Sequence, residues 1–210
     1  MFVQEAYELY KNGFKFNPST LFDYNVDGDI NKITLAMYWI IINEELPPDD
    51  LLHDPTIRDS HGLTCEMYWI YHVKEIPPCE IVHDPALQDN SGFTCAMYWI
   101  LTCDDDIPNI LIHDPSIHDN SGITCAMWWI ITRKSLPPKI IMHDPRLFDY
   151  RGWTCAMYWN LYVKTNIPNC IMHDLRFQDN DGITCERIKQ VMTPHINYGC
   201  GYEYAQSINY

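Results

Sequence analysis

The chain has 210 residues, 47% of them hydrophobic, and sets 14 basic against 28 acidic side chains for a formal charge of -14 at pH 7. That apolar content is ordinary for a folded domain and argues against a disordered chain. The negative charge repels phosphate backbones and anionic headgroups, so nucleic acid and membrane surfaces are poor partners; no apolar run approaches the ~20 residues of a membrane span.

The opening stretch "MFVQEAYELYKNGFK" holds no apolar leader segment, so a reducing cytoplasmic, or nuclear, setting is expected. Residues 3–11 predict a helix that caps the open face of the first repeat. A period then governs the chain: His53, His83, His113, His143 and His173 lie 30 residues apart, as do Gly62, Gly92, Gly122, Gly152 and Gly182. A fixed period in this range marks stacked supersecondary units, each burying its apolar face against its neighbours. The chain divides into a capping segment over 1–30, five 30-residue repeats over 31–181, and a capping repeat with a tail over 182–210. In the last repeat Arg187 and Lys189 stand where Met and Trp recur, as a unit with one neighbour requires.

Within a repeat, Asp89-Asn90-Ser91-Gly92 has the Asp and Gly of a type I turn. Thr94 follows as an N-cap, its hydroxyl free to accept a backbone N–H of the next turn. A helix of roughly three turns runs through "CAMYWILTC", apolar on nearly every side and so expected to be covered all round. Pro48, Pro78, Pro108, Pro138 and Pro168 suit the first turn of a second, shorter helix, which the Asp-Pro pair after His ends. One repeat therefore reads turn, helix, short loop, shorter helix, extended return.

Gly62-Leu63-Thr64-Cys65-Glu66-Met67 and Gly92-Phe93-Thr94-Cys95-Ala96-Met97 carry a resemblance to the ankyrin repeat, which opens Gly-x-Thr-Pro-Leu-His. It covers about residues 30–190 and implies an all-α fold, an α-solenoid of stacked helix-turn-helix units. Cys replaces the proline, Met replaces the histidine, no Gly-Ala-Asp follows the second helix, and the period is 30 rather than 33. Short turns between units are what such a shortening implies.

The recurring polar residues read as structural. Equivalent atoms in successive repeats lie roughly 8–10 Å apart, too far for two same-phase histidines to share a zinc ion or for two same-phase cysteines to form a disulfide. Each His is expected to bond main-chain carbonyls, each Thr-Cys to place a buried thiol at a helix start, and Trp39, Trp69, Trp99, Trp129 and Trp159 to form core. No nucleophile motif or phosphate-cradling loop occurs, so no catalytic residue, metal ligand set or cofactor is assigned.

Function then falls to positions that differ between repeats. One turn reads Arg146-Leu147-Phe148-Asp149-Tyr150-Arg151, with aromatic and Arg residues of the kind that anchor binding. Arg146, Phe148, Tyr150 and Arg151, with His118 and Arg58 at the phase of Phe148, are the candidate partner-binding residues. The expected protein is a noncatalytic, monomeric scaffold binding another protein. The alternative is a metal- or thiol-responsive repeat protein, its redox chemistry centred on the off-phase Cys79, Cys103, Cys170 and Cys200.

Overall fold

The computed structural model describes residues 1–26, 28–174 and 176–191; Cys200, the tail and the side chain of Lys189 lie outside the described residues. Two compact units are present, Met1–Pro108 and, from Asn109 on, the remainder of the described chain. Most of the regular structure is helical.

In the first unit, helix α1 (Val3–Lys11) packs on α2 (Leu35–Asn43) through edge-on rings, Tyr7 lying 5.4 Å from Tyr38 and 5.8 Å from Trp39. Between them β1 (Phe22–Val26) and β2 (Asp29–Ile33) form an antiparallel hairpin that pairs Val26 with Asp29. The expectation of a purely helical chain is corrected here. The sequence there reads Asp27-Gly28, a strong two-residue hairpin signal, and Gly28 has φ 98°. Strand β2 takes the place of a turn: the Lys32 carbonyl accepts from Ser60 N at 3.1 Å, as the His61 carbonyl accepts from Asn90 N at 2.9 Å. Helices α3 (Cys65–His72) and α4 (Cys95–Thr102) follow, with α3 packed on both α2 and α4.

The second unit repeats the scheme with α5 (Cys125–Arg133), α6 (Cys155–Tyr162) and α7 (Cys185–Val191), α6 packed on both neighbours. Thr34, Thr64, Thr94, Thr124 and Thr154 cap α2 to α6, each hydroxyl accepting the backbone N–H of the Met three residues on. The inner helices are covered on every side: Cys95 through Ile100 are all buried in α4. Burying a Trp such as Trp99 removes ~150–250 Å² from water, a contribution of about 4–6 kcal/mol before ordering costs.

The second, shorter helix of each repeat is absent as such among the described residues. Its place is taken by a single turn, 3-10 at Asn109–Leu111 and Lys139–Ile141, and closed at 48–51 by the bond from Leu51 N to the Pro48 carbonyl at 2.8 Å. Four residues separate Pro48 from His53, proline supplies no donor, and the Asp carboxylate after His turns the chain by accepting from the backbone two residues on, as Asp54 does from Thr56 N at 2.9 Å. One turn fits in that interval, Leu51 N and Leu52 N both donating to the Pro48 carbonyl at 2.8 and 3.2 Å, and a helix of successive turns does not.

Glycine recurs because the turns stack closely. Gly122 has φ 82°, and a Cβ there would meet Tyr150 N at 2.8 Å and Asp149 Cα at 2.9 Å. Both the left-handed backbone and the space exclude a side chain.

Candidate functional site

Each repeat is pinned by a buried Asp and by a His. Asp89 Oδ1 accepts from Ser91 N and Phe93 N, both at 2.8 Å, closing the turn, while Oδ2 accepts from Tyr98 OH at 2.7 Å. Asp119 does the same with Ser121 N, Ile123 N and, in place of a tyrosine, Trp128 Nε1 at 3.0 Å. Burial raises both carboxyls above the usual carboxylate range despite these bonds. The link from each Asp to the aromatic nine residues on is a tertiary contact that the repeat pattern does not announce.

His53 Nδ1 lies 2.8 Å from the Asp54 carbonyl. A carbonyl only accepts, so Nδ1 carries the proton and Nε2 presents a lone pair. That lone pair faces Thr34 Oγ1 at 2.9 Å and Cys65 Sγ of the next repeat at 3.6 Å. His143 repeats the arrangement with Thr124 at 2.7 Å and Cys155 at 3.6 Å. Burial pushes the Cys65 and Cys155 thiols up to about 12, which makes them poor nucleophiles. Of the off-phase cysteines, Cys103 is buried and Cys79 and Cys170 are exposed.

One histidine has an added neighbour. The phase that holds Ala36, Ala96, Ala126 and Ala156 holds Glu66 in α3. Its carboxylate is 1% exposed and stands 3.2 Å from His83 Nε2, whose side chain is 0% exposed. Glu66 Oε2 also accepts from His83 N at 3.1 Å, and Cys95 Sγ is 3.8 Å from Nε2. The three donor groups lie within 4.8 Å of one another. Burial raises the Glu66 carboxyl, opposed by the neighbouring imidazole, and drives the Cys95 thiol well above its ordinary value. Excluding metals by comparing same-phase histidines missed this cluster, because its members come from three different phases. The signal was the lone carboxylate in an apolar helix.

The sequence-derived partner residues divide. Phe148 and Tyr150 are 55% and 64% exposed. His118 lies edge-on to Tyr150 at 5.7 Å, and Phe148 meets Phe177 at 5.8 Å, so these rings run along adjacent turns of the second unit. Arg146 is exposed and pairs with Asp144 of its own turn at 2.9 Å. Arg151 is turned inward, bonding Tyr158 OH at 2.8 Å and Asp149 Oδ2 at 3.3 Å and lying over the Trp153 ring. Arg58 is exposed in the first unit.

Tyr150 stands where Asn90, Asn120 and Asn180 recur. Asn90 Nδ2 donates to the Ser60 carbonyl at 3.0 Å and Asn180 Nδ2 to the Tyr150 carbonyl at 2.7 Å, tying each turn to the one before. A tyrosine has no amide to make that bond, and most of this ring is left in water.

Among the described residues no helix is long and apolar enough to cross a membrane. Comparison of the sequence with known protein families and with curated proteins finds no match.

Proposed function

We propose that the chain is a noncatalytic protein-binding scaffold, its repeats stacked as an ankyrin-like α-solenoid, acting as a monomer that holds a protein partner on the turns around Phe148 and Tyr150. Tyr150 carries the reading. The exchange of Asn for Tyr gives up a turn-to-turn hydrogen bond and exposes an aromatic ring, a loss to the fold that a binding anchor explains. Phe148 and His118 extend the apolar strip and Arg146 supplies a flanking cation, whereas Arg151 holds the turn in shape. The consecutive packing of like helices within each unit supports the stacked arrangement.

The test restores the residues of the other repeats. In Phe148→Gln/Tyr150→Asn both positions carry side chains found at the same phase elsewhere, so circular dichroism and melting stay at wild-type values or rise. Quantified capture of proteins from extract by the immobilised chain falls at least tenfold for the specific partner. Capture of the same proteins in the same amounts by both chains would discredit the surface.

A further inference from the structure

We propose that Glu66, His83 and Cys95 form a binding site for one divalent metal ion of the zinc class. Two of its edges match a coordination tetrahedron and the third is at most 4.8 Å. Zinc bonds of ~2.0–2.3 Å imply ligand-to-ligand edges of roughly 3.3–3.7 Å; here Nε2 to Oε2 is 3.2 Å and Nε2 to Sγ is 3.8 Å. Thr64 Oγ1 lies 2.8 Å from Nε2, the contact that Thr34 and Thr124 make with their own histidines.

The imidazole is already oriented for a metal. His83 Nδ1 faces the Asp84 carbonyl at 2.8 Å, which fixes the proton on Nδ1 and aims the Nε2 lone pair into the cluster. Metal-bound histidines carry this outer bond. The carboxylate is held in turn by the His83 backbone N–H. His53, His113 and His143 share the carbonyl bond and the nearby thiol, and at the phase of Glu66 they are matched by Ala36, Ala96 and Ala126.

Charge provides the independent argument. A lone pair and a carboxylate oxygen 3.2 Å apart, both sealed from water, repel unless a cation lies between them. A proton can fill that place, with the Cys95 S–H donating to the Glu66 carboxylate. A divalent ion engages all three groups: Cys95 gives up its S–H proton to solvent and binds as thiolate, Glu66 binds as carboxylate, and His83 binds neutral. Two negative ligands then balance the double charge, so the buried site is neutral overall.

The experiment takes the full chain, grown with zinc and purified without chelator. Expected are one zinc per chain by elemental analysis and, after exchange into cobalt(II), a thiolate-to-metal absorption band of one-sulfur intensity. Glu66→Ala places at position 66 the residue of the equivalent repeats; it is expected to bind zinc more weakly by more than the ~10–100-fold typical of losing an outer-shell partner. Cys95→Ser loses the cobalt band, while Cys65→Ser and Cys125→Ser keep it, a comparison that stands even if Glu66→Ala fails to fold. Wild-type protein without zinc and without a cobalt–thiolate band would overturn the site, as would equal metal content in Glu66→Ala or a band insensitive to Cys95→Ser.

Discussion

Asp89 and Asp119 occupy the same phase, close the same turn with two backbone N–H bonds each, and are both buried, yet one meets a phenol and the other an indole. Replacing each by Asn keeps the Oδ1 acceptor for the two backbone donors, since Asn supports the same local turn. It puts an NH2 group where Oδ2 was. At position 89 the Tyr98 hydroxyl rotates and accepts from the new amide, so a hydrogen bond survives. At position 119 the Trp128 N–H can only donate; it is left facing another donor, and flipping the amide sets the NH2 against two backbone donors instead. An unpaired buried donor costs about 1–3 kcal/mol. Loss of the buried charge enters both variants, and its difference has the same sign, since Asp59 disfavours the charge on Asp89 and His118 favours that on Asp119. Asp119→Asn is therefore expected to be about 1–3 kcal/mol more destabilising than Asp89→Asn in urea unfolding monitored by far-UV circular dichroism. Adding Trp128→Tyr, the residue of most other repeats, should recover most of that difference. Equal destabilisation by the two Asn variants, or no recovery in the double variant, would refute the assignment of these turns.

Two further outcomes concern the backbone and the histidines. Gly13→Ala and Gly122→Ala both force a left-handed residue, at about 1–2 kcal/mol, but a Cβ at Gly13 meets nothing within 4 Å whereas at Gly122 it strikes backbone of the next turn; the melting temperature should fall clearly further for Gly122→Ala, and equal shifts would show that the turns do not stack closely. Burial holds His53 and His143 below the usual histidine range, so the folded state favours their neutral form and the unfolded chain takes up protons first. Their contribution to stability is present above ~6.5 and is lost as pH falls from there through the folded values; NMR titration of the ring carbons should place both midpoints below those of the urea-unfolded chain, and midpoints at or above ~6.5 would contradict the bonding described for Nε2.

Much of the repeat was legible because its signals are local. The 30-residue period, the Thr caps, the turn Asp and Gly, and the helix through Cys95–Thr102 each rest on residues within a few positions of one another. The carbonyl bond of His53, His83, His113, His143 and His173 is local too, since it runs to the very next residue. The hairpin over 22–33 was legible in Asp27-Gly28 and was masked by the helical pattern of its neighbours. The second helix failed for a quantitative reason: the sequence supplies a helix start and a helix stop, but too few residues between them to propagate beyond a single turn.

By itself the sequence determined the unit, its length, its caps and the inner helix, because those are settled by backbone preferences and by apolar spacing along one stretch of chain. Only the tertiary structure decided which phases meet. Glu66, His83 and Cys95 are separated by 17 and 12 residues and share a centre because one repeat's helix start packs against the next across the histidine turn; Tyr150 is known to be a loss to the fold only once its asparagine counterparts are seen bonded to the preceding turn. Such convergence depends on distances between segments, which packing sets and a linear period does not encode.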